Sequence, residues 1–199
     1  MRLVSCFMLC LGLAACGTPG AYRNGSGPAA QFDLGPPAAA MPAEARPWSF
    51  FVTATGQFED RAMRYRLLYA DAARVMEYGQ SRWSSGLSEL LQRRLESRLF
   101  WPEAGPVSRC ITRLELQRFE QVFETPHSSS GVVVMRAVLS QRGGGVVDER
   151  VLTRQVPAPT LDAAGGVHAL AAAVDGLAEQ LLAWQQQGKV NGSHRICWE

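Results

Sequence analysis

Between Asp162 and Gln187 the apolar residues Val167, Leu170, Val174, Leu177, Leu181 and Trp184 recur in alternating steps of three and four. That spacing keeps one stripe of a long helix apolar. A stripe of this length has to be covered, and a β-sheet packed beneath it is the surface that fits. The helix is expected to run from about 162 to 187, with Gly188 in the position just past its C-terminus.

The rest of the chain supplies strands. "WSFFVTA", from Trp48, is aromatic and β-branched, as strands are. In "AMRYRLLYA", Ala62 to Ala70, the apolar series Met63, Tyr65, Leu67, Tyr69 alternates with Arg64 and Arg66. "ADAA" turns the chain and "RVMEY", Arg74 to Tyr78, returns it. The period then changes. Trp83, Leu87, Leu90, Leu91, Leu95 and Leu99 follow helical spacing, with Ser81 as the expected N-cap. Glu89 and Arg93 are placed to pair at i, i+4, and Pro102 and Gly105 end the helix.

In "ITRLELQRFEQVFE" Leu114 and Leu116 have one parity, Phe119 and Phe123 the other. A β-bulge at Gln117-Arg118 accounts for the switch. "TPHSSSG" reads as a loop and "RGGG" as a turn between "VVVMRAVLS" and "VVDERVLTRQV". The order β-β-β-α-β-β-β-α implies a two-layer α/β domain. Its sheet would be mixed or mostly antiparallel, with about five to six strands covered by two helices. A parallel pairing across either helix remains open.

The N-terminus carries different information. Arg2 precedes an apolar run, Leu3 to Leu13, about half the roughly 20 residues a membrane-spanning helix needs. That is the length of a signal-peptide core. Leu13-Ala14-Ala15-Cys16 follows and resembles the bacterial lipobox, in which the cysteine is acylated and the signal is cut before it. The expected organisation is a signal over 1–15, a lipidated Cys16 with a Gly/Ala/Pro-rich tether over 16–47, and one domain over 48–199. One acyl chain holds a protein to a bilayer only marginally and several hold it firmly. Within the tether "QFDL", Gln31 to Leu34, is an apolar island suited to an edge strand. Gly17, where inner-membrane lipoproteins of enterobacteria carry Asp, implies the outer membrane by resemblance.

With Cys6 and Cys10 in the signal and Cys16 lipidated, Cys110 and Cys197 remain. An oxidising periplasm favours their pairing, which in the chain-entropy model stabilises by about 4 kcal/mol. Two free thiols are the alternative. The formal charge of +2 gives no basic footprint for nucleic acid.

A search for chemistry yields little. The chain has no H-E-x-x-H, G-x-S-x-G or P-loop motif. His127 stands beside Ser128 to Ser130, but no acid is placed to complete a triad. Asp148 and Glu149 are adjacent, and on a strand they point to opposite faces. His194 and Cys197, with Cys110, have the makings of a metal site; a disulfide beside a solvated histidine is the plainer reading. His168 lies near a helix start. Trp83 and Trp184 are expected as core anchors on helix faces. No cofactor is implied.

Read in order, the lipobox, "QFDLG", "MRYR", "EYGQSRW", "LSELLQRRLESRL", "RLELQRFEQVF" and a last helix ending "LLAW" resemble the ABC-type transport auxiliary lipoproteins, the paraquat-inducible protein C-like family. Met63, Tyr65 and Arg66 match its Met-x-Tyr-Arg strand. Arg82 and Trp83 match its Arg-Trp at the entry to the first helix, and "FDLG" its start after the anchor. The long Ala/Pro-rich stretch before Trp48 departs from the pattern, and Cys110 and Cys197 map onto no family motif.

The resemblance implies a non-enzymatic accessory of an ABC/MCE-type (mammalian cell entry) system moving lipids or other hydrophobic molecules across the periplasm. Its partners would be an MCE-domain protein and an ABC transporter, with the membrane reached through the lipid anchor. Some members resemble ring-forming oligomers, which implies a homo-oligomer as a further expectation here. A lipoprotein activator or scaffold for peptidoglycan synthesis is the second reading, and an envelope hydrolase the third.

Overall fold

The computed structural model describes residues 27–37, 39, 41, 49–99 and 108–197. The signal, the lipobox with Cys16, Trp48, Pro102 and Gly105 lie outside them. The strands are β1 (Ala30–Phe32), β2 (Ser49–Thr53), β3 (Ala62–Leu67), β4 (Val75–Trp83), β5 (Cys110–Thr125), β6 (Ser128–Gln141) and β7 (Val146–Pro157). The helices are α1 (Leu87–Leu99) and α2 (Ala163–Asn191). The seven strands form one sheet in the order β1-β4-β3-β5-β6-β7, with β2 also beside β5.

The long pairings, β5 with β6 and β6 with β7, are antiparallel; the short ones of β1 with β4, β2 with β5 and β3 with β5 are parallel. β6 occupies one edge of β5 along its length. β2 and β3 therefore lie end to end on the other edge, beside Ile111–Glu115 and Gln121–Phe123. The register shift between Leu116 and Arg118 is the bulge expected there. It turns Phe119 and Phe123 inward with Leu114 and Leu116. With seven strands the sheet has one more than the upper expectation, because Ala30–Phe32, overlapping "QFDL", contributes β1 at the edge.

The helices cover one face, and Leu87, Leu91, Leu95, Leu114, Met135, Leu139, Leu177 and Leu181 are almost fully buried between the layers. Removing such a side chain to Ala costs about 2–5 kcal/mol. Among the described residues the other face carries ion pairs instead of a second layer: Arg66 and Arg118 on Glu120, and Arg113 and Arg136 on Glu115. Val132 and Val138 sit opposite Glu120 and Arg113 and are buried there. Long charged side chains shield apolar residues in this way by laying their stems across them.

Three local expectations are corrected. Ser81 is not a helix cap, and Trp83 is not helical. Both lie in β4, where β1 pairs with Ser81–Trp83 on one side and Ala62 with Arg82 on the other. The helical spacing from Trp83 to Leu87 is coincidental; Trp83 is buried against Phe119, ring centroids 5.5 Å apart. Ser128 to Ser130 belong to β6 rather than a loop, leaving Pro126 and His127 as the turn.

Gly188 does not end the last helix. α2 opens on Asp162, whose carboxylate accepts from Gly165 N at 2.8 Å, and closes at Gly192 with φ +79°. A left-handed cap of this kind suits glycine. Gly188 lies inside the helix because the chain folds back over it. A Cβ there would meet His194 Nδ1 at 1.7 Å.

Candidate functional site

α1 presents Arg94 and Arg98 one turn apart, and α2 presents Asp175 and Glu179 one turn apart. The pairs face each other. Arg94 Nε and Nη2 donate to Asp175 Oδ1 and Oδ2 at 2.9 and 2.8 Å, a two-pronged contact with both side chains buried. Arg98 Nη2 lies 2.8 Å from Glu179 Oε1, where the carboxylate is half exposed.

Each arginine has a second task. Arg94 Nη1 donates to the carbonyls of Leu34, Gly35 and Pro36. Arg98 Nη1 donates to Ala39 O, and its own carbonyl accepts from Met41 N at 2.8 Å. Leu34, Gly35, Pro36, Ala39 and Met41 are thereby fastened along α1. Asp33 tightens the bend by accepting from Gly35 N at 2.7 Å, and Leu34 is buried beneath it. Arginine suits this work because its planar fork serves a carboxylate and a row of carbonyls together. A buried charge pair is costly to desolvate, so its persistence depends on such additional hydrogen bonds.

Beside the clamp lies an open cleft of about 490 Å³. Phe32, Leu34, Pro36, Val167 and Ala171 line it, with Arg94 and Asp175 at its base and His168 among its walls. Arg94 and Asp175 are committed to each other and to the strip. The site therefore holds a segment in place and offers an apolar groove beside it. Among the described residues no group of three or more His, Cys, Asp and Glu is arranged to hold a metal.

The sequence-derived site residues do not converge. Met63 and Trp83 are core residues. Tyr65 packs on Tyr78 and Phe123, ring centroids 4.6 and 5.9 Å apart. Arg66 pairs with Glu120 at 3.1 Å and donates to Ala72 O at 2.7 Å. Arg82 is exposed on β4. Cys16 lies outside the described residues. Ser129, beside His127, is buried and accepts from Gln121 Nε2 at 2.8 Å.

Cys110 and Cys197 form a disulfide across 87 positions. The histidine beside it is not solvated. His194 is fully buried, its Nε2 donates to Asp148 Oδ2 at 2.7 Å, and its ring meets Trp184 edge-on at 5.3 Å. Trp184 Nε1 donates to the same carboxylate oxygen at 2.9 Å. Burial by itself would raise the Asp148 pKa. The bonds from His194, Trp184 and the Glu149 backbone outweigh it and hold the carboxyl below its ordinary range. Asp148 and Glu149 diverge as strand neighbours do, Glu149 reaching Arg136 on the opposite face.

Sequence reasoning missed the clamp, although a signal was present. Arg94 stands on the Leu87-Leu90-Leu91-Leu95 stripe, and Asp175 follows Val174 among buried residues. A charge on each of two apolar stripes invites pairing.

The fold, this sheet with two helices covering it, is shared with solved structures. The crystal structure of XCC0632 from Xanthomonas campestris, described under the family model DUF330, matches with a TM-score of 0.65 at 15% identity. The match covers 82% of this chain and 99% of that one. A crystal structure of an uncharacterized protein matches with a TM-score of 0.57 at 12% identity, covering 81% and 99%. Identities this low show the fold alone. No family model matches the sequence, and no curated protein does.

Proposed function

We propose that this chain is a non-enzymatic lipoprotein, anchored through Cys16 at the periplasmic face of the outer membrane. It serves an ABC/MCE-type system that moves lipids or other hydrophobic molecules. The observation that carries the reading is the fold shared with XCC0632 over nearly the whole of that protein. DUF330 is the family of the ABC-transport auxiliary lipoproteins, the group the sequence motifs independently resemble. The Leu13–Cys16 lipobox supplies the anchor. The clamp supports the reading physically, because it fastens the stretch just after β1 to the helical layer and so keeps the anchored end of the chain on the domain.

The direct test is crosslinking in intact cells followed by mild detergent extraction and purification through this protein. Recovery of an MCE-domain protein is expected. Extracts that yield a penicillin-binding protein and no MCE protein overturn the transport reading. Mass spectrometry of the mature product tests the anchor separately: an acylated N-terminal Cys16 is expected, and an unmodified thiol there removes it.

A further inference from the structure

One end of the sheet is marked by a row of register partners: Val75 with Arg66, Arg66 with Val122, Val122 with Ser130 and Ser130 with Pro157. Past this row lie the β3–β4 hairpin, the Pro126-His127 turn and the link from β7 into α2. Leu68, Tyr69 and Val75 are exposed on the hairpin, and Leu161 on the link. Arg74 is exposed beside Val75, while the Asp71 carboxylate turns back to accept from Ala73 N.

The chain's direction connects this end to the anchor. β1 runs parallel to β4, with Ala30 beside Ser81 and Phe32 beside Trp83. Traced backwards from Ala30, β1 therefore points along β4 toward Val75, at the end bearing Leu68 and Tyr69. Cys16 lies fourteen positions before Ala30, a span of at most about 50 Å. A lipid on Cys16 would thus keep that end within reach of the bilayer surface.

We propose that the β3–β4 hairpin tip, with Leu161 beside it, rests in the headgroup layer of the membrane and sets the orientation of the anchored domain. The inference rests on the lipid-anchor reading. Tyrosine suits that layer, where an apolar body and a polar tip are both accommodated; the leucines add apolar area at its inner boundary, and Arg74 is placed for anionic headgroups. Side chains this few do not hold a protein by themselves; with the anchor supplying affinity, they select which end faces the lipid. Val190 and Ile196 are also exposed, but at the α2 C-terminal end, away from the direction in which β1 points.

The test uses the mature acylated protein reconstituted in vesicles of phosphatidylethanolamine and phosphatidylglycerol. With Cys16 acylated and Cys110 bonded to Cys197, one introduced cysteine is the sole thiol. A nitrobenzoxadiazole label on L68C is expected to shift its emission to the blue. A headgroup nitroxide lipid should quench it several-fold more than the same label on V190C. A72C, in the same hairpin, repeats the measurement should L68C fail to fold. Equal quenching at both ends, or stronger quenching at position 190, overturns the proposal. Flotation of the wild type with vesicles separates the two claims: protein that floats with an unquenched hairpin label sinks the orientation alone, and protein that does not float sinks the anchor reading with it.

Discussion

Arg94 and Asp175 stand 81 positions apart and meet through two hydrogen bonds of 2.9 and 2.8 Å inside the helical layer. Their pairing joins α1 to α2, and the remaining nitrogen of Arg94 holds Leu34, Gly35 and Pro36. One side chain thus couples two helices to the strip that precedes the domain's second strand.

Truncating one partner leaves the other charge buried. Asp175→Ala is expected to destabilise by about 3–5 kcal/mol, whereas the double change Arg94→Met, Asp175→Leu recovers much of that loss. Urea denaturation measures both. Limited proteolysis gives the second readout, because Arg94→Met alone should expose the strip around Leu34 to cleavage before the sheet opens. Arg98→Ala should have a smaller effect, its carboxylate partner being half exposed.

Gly188→Ala places a methyl against the His194 ring, which the disulfide three residues on keeps from moving away. A loss of about 1–3 kcal/mol is expected from such overpacking. Gly145→Ala has open space around it and should be nearly neutral. Thermal unfolding of the two variants side by side checks the contrast; equal melting temperatures would contradict the packing of the tail over α2.

The depressed pKa of Asp148 makes stability depend on pH in a set direction. Its contribution is fully present above the ordinary carboxylate value of 3.8 and is lost as the pH falls through the lower folded value. Denaturation midpoints measured across the acid range should fall less steeply for Asp148→Asn than for the wild type. The variant should also be less stable at neutral pH, since the carboxylate that serves both His194 and Trp184 is gone.

The pair Cys110→Ser, Cys197→Ser opens a loop of 87 positions. The chain-entropy model puts the cost at about 4 kcal/mol. The release of His194 from Trp184 should accompany it, read as a change in tryptophan emission. Reduction of the wild type under mild denaturant should reproduce the shift; unchanged midpoints and emission would show that the tail holds without the bond.

Local pattern determined much of the fold. The 3-4 stripe of α2, the alternation of Met63 and Tyr65 and the parity switch at Gln117 each report which face of a segment is buried, and burial period is a property of neighbouring residues. The edge strand at "QFDL" followed from an equally short argument, while the disulfide, favoured over two free thiols, rested on the compartment that the lipobox implies. What lay beyond the sequence depended on contacts between distant segments. Trp83 follows helical spacing, yet β1 and β3 pair with its segment from both sides and hold it in a strand. Gly188 has the look of a helix end, yet it makes room for His194 folding back. Arg94 and Asp175 each look like a flaw in an apolar stripe until the two helices are laid together. A one-dimensional period records that a residue is buried and is silent on what it is buried against, so the strands, tail and clamp were decided only when the chain closed on itself.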